Sequence, residues 1–299
     1  MTVTMVVALV AAAAAVAVFV LSAVRALPDP IDPAGQEHTI VRWLARHPRL
    51  RRFLRQRLDR RTAGGLALTV SLLVAFLVAL LVGAVLDMVD GSFGFASLDD
   101  SVAHWGVGHA DSAAVEILKV ITYLGDTVVV VAALFVAGLI DFLRHRRAEV
   151  FAFLAVVIIG ENLIVNGLKV IIDRGRPDVL QLVGWDGPSF PSGHAAAAAA
   201  AWPAVALVLG RGCPRPLRAV LAAGAALIAI AVAASRALLG VHWFTDIVAG
   251  VAIGYGWFLI CAVLFGGRAQ RLGDPLSTRP HGTEARPDEA ATAHGPTSD

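Results

Sequence analysis

Cysteine is scarce. Cys213 and Cys261 are the two in 299 residues, without metal-ligand spacing and too few for a disulfide scaffold, so both are read as inert. Lysine is nearly missing from the middle of the chain: between residues 64 and 266 only Lys119 and Lys169 occur. The formal net charge is +2, which gives no footprint for a nucleic-acid partner, and none is expected. Residues 3–24 carry no charge at all, and no Lys or Arg precedes Arg25. A secretory signal peptide needs a basic stretch ahead of its apolar core, so 1–24 is expected to be a retained membrane span. Residues 87–111 contain five aspartates and no Lys or Arg. No internal repeat is visible.

What fills the chain is apolar. The sequence is 57% hydrophobic with a mean hydropathy of +0.72, and apolar runs long enough to cross a bilayer recur along it. After 3–24 they fall at 66–86, 127–143, 150–172, 192–210, 219–239 and 244–266, with 112–124 as an interfacial helix. The expected fold is all-α: a polytopic membrane helical bundle with a six-helix core over 64–266 plus one extra N-terminal span. Residues 25–63 form a basic connector with ten arginines between Arg25 and Arg61. It reads either as amphipathic helix on an anionic membrane face or as a solvated basic loop, cytoplasmic in both cases. Residues 267–299 are polar and rich in Pro, Gly and Thr, a composition that implies a disordered tail. Arg144, Arg146 and Arg147, and then Arg211, Arg215 and Arg218, mark two further inside turns. Seven spans, an outside N-terminus, a cytoplasmic C-terminus and localisation in the cell membrane follow.

The polar residues collect at one boundary. Pro191-Ser192-Gly193-His194 opens an apolar run. The first N–H groups of a helix lack internal partners, so such a terminus is a ready anion site. Gly193 lets a ligand approach the backbone, Ser192 adds a donor, and His194 can give or take a proton near neutral pH. Upstream, Lys169 is followed after six residues by Arg176-Pro177; downstream, Ser235-Arg236 is followed after five residues by His242 and after three more by Asp246. Arg176 is expected two helical turns beyond Lys169 on the same face. In 150–172, Asn162 and Asn166 share that face and, with Glu161, are read as interhelical packing bonds. A lone His at a boundary or a lone Arg at a span end is usually an interfacial anchor. Three such clusters in order, all expected on the outer side, are not.

With K-x6-R-P, P-S-G-H and S-R-x5-H-x3-D in that order, the chain resembles the type 2 phosphatidic acid phosphatase family, the membrane branch of the lipid phosphatase and vanadium haloperoxidase superfamily. The likeness covers roughly 64–266. It implies that Lys169, Arg176, Ser192, Gly193 and Arg236 hold a phosphoryl group by charge and hydrogen bonds. It implies that His242, oriented by Asp246, forms a phosphohistidine, and that His194 protonates the leaving oxygen and later activates water. No cofactor is expected. No metal is expected either, because three cations beside two histidines and one aspartate repel a divalent ion. A transporter would need charge along a through-path rather than at one boundary; a haloperoxidase relative would be soluble; an inactive scaffold would not keep the full set. The expected partner is a membrane lipid phosphate. Undecaprenyl or another polyprenyl diphosphate is the first expectation, because an external site in this family resembles enzymes that recycle the cell-wall carrier lipid. Phosphatidylglycerophosphate or phosphatidic acid is the alternative. The sequence is silent on oligomeric state.

Overall fold

The computed structural model describes Val18, Ser22 and residues 63–91 and 93–269. The expected first span is therefore described only at Val18 and Ser22. The basic connector up to residue 62 and the tail beyond residue 269 lie outside the described residues.

Within residues 63–269, eight α-helices follow in order: α1 Ala63–Gly91, α2 Asp99–Gly108, α3 Ser112–Tyr123, α4 Thr127–His145, α5 Glu149–Ile172, α6 Gly193–Leu209, α7 Arg215–Leu238 and α8 Phe244–Ala269. A short 3-10 turn, Gly94–Leu98, precedes α2. Among the described residues there is no strand, and the molecule is an all-α membrane helical bundle. Val70–Gly91, α4, α5, α7 and Phe244–Phe265 are long and apolar enough to cross a membrane. Helix α6 has 17 residues, about 25 Å at 1.5 Å per residue, short of a hydrocarbon core of about 30 Å.

That short helix is the axis of the bundle, packed on by α4, α5, α7 and α8. Its sequence explains its place. Ala195 to Ala201 are all buried, and their small side chains let neighbouring backbones come close. Helix α8 supplies the complementary surface. A Cβ at Gly250 would overlap the Ser192 carbonyl oxygen, and one at Gly254 the Ala196 carbonyl oxygen. This close crossing fixes the start of α8 against the start of α6, which is where the polar clusters meet. Helix α1 packs on α8 from outside, and Leu72, Leu73, Phe76, Leu77, Leu80 and Leu81 stay exposed toward the surroundings that a membrane supplies.

Helix boundaries follow local chemistry. Asp111 caps α3 by accepting from the Ala114 N–H, and Asp126 caps α4 by accepting from the Val128 N–H. The acidic segment 87–111 is more structured than its composition implied: Asp99 and Asp100 occupy the first turn of α2, where the helix dipole favours negative charge. Two readings of α5 differ from the structure. Asn162 and Asn166 are exposed, and Asn166 Nδ2 donates to Asn162 Oδ1 and O within the same helix, rather than across to a neighbour. Glu161 is 1% exposed, but its Oε2 has no hydrogen-bond partner.

Candidate active site

Three helix ends converge. Helix α5 contributes Lys169 in its last turn and then stops, because Asp173 takes a left-handed conformation (φ 42°). Arg176 is therefore not two turns further along a helical face. It lies in the irregular segment after α5, and its guanidinium faces inward by a different route. Nε donates to the Gly187 carbonyl, Nη1 to the Val241 carbonyl, and Nη2 to the carbonyls of Asp186 and Pro188. The Trp185 ring lies 4.8 Å from its Cζ. Nη1 is also 3.4 Å from His242 Nε2. The paired donors that the sequence assigned to an anion are, in this structure, turned to backbone carbonyls.

Ser192 is the N-cap of α6, with extended backbone and no side-chain cap bond. Its Oγ is buried and unpartnered, while its backbone N–H donates to the Asp246 carbonyl. A Cβ built on Gly193 would meet only Val165 Cγ1, at 3.8 Å. The space over Gly193 is open, so glycine is not demanded there by packing; what its missing side chain provides is access. His194, half-buried in the first turn, has Gly125 pressed against its backbone oxygen.

Helix α7 delivers Arg236, 4% exposed, in its last turn. Nη1 donates to Thr122 Oγ1 of α3 at 3.2 Å, and Nε has no partner. Gly240 turns the chain with φ 74°, and His242 follows, 3% exposed. His242 precedes α8, so the His242/Asp246 spacing works across a helix start rather than along a helical face. Asp246 Oδ2 reaches back to accept the Trp243 backbone N–H, as the third residue of a capping box does. That geometry leaves Oδ2 3.5 Å from His242 Nδ1. A proton on Nδ1 directed at Asp246 leaves the lone pair on Nε2, which faces Arg176 Nη1 at 3.4 Å. Burial pushes the His242 imidazolium down to about 4, against the hydrogen bond and charge of Asp246, so the ring is neutral at neutral pH.

The structure thus brings Lys169, Arg176, Ser192, Gly193, His194, Arg236, His242 and Asp246 to one end of the bundle. It adds residues the sequence reading did not single out. Arg174 donates to Asp246 and Asp99, Ser189 Oγ makes a very short hydrogen bond to Asp246 Oδ2, and Thr122 holds Arg236. Asp99 had a local signal, since an acidic pair opens a helix there; Arg174 had none beyond its place between Lys169 and Arg176. Among the described residues no three His, Cys, Asp or Glu side chains form a group that could hold a metal ion. What the arrangement can do is bind an anion beside a neutral, oriented imidazole.

Comparison with known proteins agrees with this chemistry. Residues 149–269 match the PAP2 superfamily model. Phosphatidylglycerophosphatase B of Bacillus subtilis (strain 168) is 31% identical over 148 residues, 48% of this chain and 72% of that protein. A decaprenylphosphoryl-5-phosphoribose phosphatase of Mycobacterium tuberculosis (strain ATCC 25618 / H37Rv) is 40% identical over 105 residues, 34% of this chain and 53% of that protein. The crystal structure of a transmembrane PAP2 type phosphatidylglycerolphosphate phosphatase from Bacillus subtilis superposes with a TM-score of 0.59 at 26% identity, covering 67% of this chain and 98% of that one. The chain belongs to the PAP2 superfamily and is a membrane-embedded phosphoric ester hydrolase.

Proposed function

We propose that this protein removes phosphate from a membrane lipid through a phosphohistidine on His242. The observation that carries this reading is a pair of buried donors left without hydrogen-bond partners, Ser192 Oγ at the start of α6 and Arg236 Nε at the end of α7, at the same end of the bundle as His242. Buried donors without partners are costly in a finished fold and are the natural seat of a ligand that pairs them. A phosphoryl group, with charge spread over its oxygens, is such a ligand.

The steps are as follows. His242 Nε2 attacks phosphorus as the bond to the leaving oxygen breaks, and His194 gives that oxygen its proton. Water then attacks phosphorus as its bond to Nε2 breaks, His194 takes the water proton, and inorganic phosphate leaves with His242 restored. Asp246 fixes the His242 tautomer throughout. Lys169, Arg236, Ser192 and the backbone at Gly193 hold the oxygens, and Arg176 supplies charge while bracing the 185–188 segment.

Residues 64–266 are the catalytic unit in this reading, within a seven-span chain whose site is extracytoplasmic and whose C-terminus is cytoplasmic. Reporter fusions after Arg147 and Arg218 are expected to score cytoplasmic, and one between Asp178 and Trp185 external; the reverse pattern would remove the external site. For substrate, short outer segments favour a lipid whose tail stays in the bilayer, and polyprenyl diphosphate is the first choice. The decaprenylphosphoryl group in the name of the mycobacterial relative supports a polyprenyl lipid. A second reading is phosphatidylglycerophosphate, favoured by the Bacillus subtilis relative, of which this chain covers 72%. Phosphate release by purified protein in detergent from polyprenyl diphosphate, phosphatidylglycerophosphate and phosphatidic acid decides between them. No release from any of the three would sink the lipid phosphatase reading.

A further inference from the structure

Asp246 is 0% exposed, and orienting His242 is only part of what its carboxylate does. Its Oδ1 accepts from Arg174 Nη1 at 2.6 Å. The same Nη1 donates to Thr245 Oγ1 at 2.7 Å, and Nη2 donates to Asp99 Oδ2 at 2.8 Å. Asp99, 4% exposed, accepts two further hydrogen bonds from one residue: the Thr245 N–H at Oδ1, 2.9 Å, and the Thr245 hydroxyl at Oδ2, 2.7 Å. Because Thr245 Oγ1 accepts from Arg174, its single proton is free to point at Asp99. The Trp243 ring closes the other side, 5.3 Å from the Arg174 Cζ. The result is a closed ring of Arg174, Asp99 and Thr245, with Asp246 bonded to its cation.

Each member comes from a different part of the chain: Asp99 from the start of α2, Arg174 from the segment after α5, Thr245 and Asp246 from the first turn of α8. Buried carboxylates are retained only when paired and hydrogen-bonded. Here one planar guanidinium serves two carboxylates and a hydroxyl at once, which a single ammonium does not. Two carboxylates against one cation leave one negative charge, and the imidazole facing it is His242, whose Nδ1 is 3.5 Å from Asp246 Oδ2. No hydrogen bond joins the ring to Ser192 Oγ or Arg236 Nε, the unpartnered donors that an anion would take.

We infer that Arg174, backed by Asp99, is a positioning residue for the reaction. It clamps Asp246 as a hydrogen-bond acceptor in one orientation, so that His242 keeps its proton on Nδ1 and presents Nε2 to phosphorus. This rests on His242 being the nucleophile. The division of labour is specific: the clamp acts on the nucleophile and leaves phosphate binding to other groups.

The test uses the full-length protein in detergent, with phosphate release from a lipid phosphate it turns over, and inorganic phosphate as the competing probe of the anion site. Arg174→Met is expected to lower kcat about 10- to 100-fold, the range seen when supporting partners of a functional group are removed, with KM and the inhibition constant of inorganic phosphate within about twofold of wild type. Arg174→Lys recovers part of the loss. Asp99→Asn, which keeps the shape, lowers kcat less, and the double variant Arg174→Met/Asp99→Asn is no slower than Arg174→Met alone, because both act through one carboxylate. If Arg174→Met does not fold, Arg174→Lys and Asp99→Asn carry the same comparison. Wild-type kcat in these variants overturns the clamp, as do multiplying losses in the double variant or a fall in phosphate affinity that parallels kcat. His242→Ala, run alongside, separates the two ideas: an inactive His242→Ala with a wild-type Arg174→Met refutes the clamp alone, whereas an active His242→Ala refutes the nucleophile.

Discussion

The two ends of the bundle each bury a carboxylate, and they treat it differently. At the end away from the site, Asp141 of α4 is 1% exposed. One of its oxygens faces His145 Nδ1 at 3.0 Å and the other accepts from Arg211 Nη1 at 3.1 Å, tying α4 to the turn after α6. At the site end, Asp246 is likewise satisfied, by Arg174, Ser189 and the Trp243 N–H. The contrast lies beside it, where Ser192 Oγ and Arg236 Nε have no partner. A buried donor left unpaired costs about 1–3 kcal/mol, and a fold selected for stability alone would pair or remove it. One end is a strut. The other keeps its frame satisfied and leaves open the groups that a substrate pairs.

The largest expected effects test this contrast directly. His242→Ala and His194→Ala should each lower phosphate release by about a thousandfold or more, as losses of a nucleophile or its proton partner do, with melting in detergent little changed. Asp141→Ala should do the reverse. It strands His145 and Arg211, but the Arg211 side chain is 42% exposed and water re-solvates it. The expected loss is therefore about 1–2 kcal/mol of stability, with kcat per folded molecule within about twofold. Thermal melting and turnover measured on the same preparations decide it. An Asp141 variant that melts normally but does not turn over would erase the distinction between the ends.

A smaller effect sharpens the same point within the site. Arg236→Met and Ser192→Ala remove side-chain donors whose one hydrogen bond among the described residues is that from Arg236 to Thr122. Activity should fall about 100-fold for Arg236→Met and less for Ser192→Ala, the scale of losing one preorganised donor to a developing charge. Melting of Ser192→Ala should be unchanged or slightly raised, since an unsatisfied buried hydroxyl is gone. A Ser192→Ala that melts well below wild type would mean the hydroxyl has a structural partner and the cradle argument fails there.

Much of this site was legible because its chemistry sits in short local patterns. The helix boundary before Gly193 and the apolar runs read directly from composition, and the structure shifts those boundaries by only a few residues. The His242/Asp246 spacing pointed to the right pair by the wrong geometry: the residues face each other across a helix start, where the carboxylate also caps the Trp243 N–H. Arg176 shows the limit more plainly. Its type and position promised donors for an anion, yet the left-handed Asp173 ends α5, and three carbonyls of the following loop and that of Val241 take the guanidinium. Arg174 and Asp99 were illegible for a simple reason. Their bond spans 75 residues, and nothing local to either one reports a partner that only the tertiary fold supplies.

The smallest expected effect is none. Lys169, Arg176 and Arg236 meet the same end of the bundle as His194 and His242, and the carboxylate beside His242, Asp246, already accepts from a guanidinium, a hydroxyl and an N–H. A divalent cation would have to displace those donors and approach three positive charges, whereas a phosphate anion gains from each. Turnover should therefore persist, within about twofold, after exhaustive treatment with EDTA and assay without added metal. The comparison between the two ends depends on that outcome, because it reads the unpaired groups at the site as donors waiting for anionic oxygen. Loss of turnover in chelator, restored by a divalent ion, would mean those groups serve a metal-bound substrate instead.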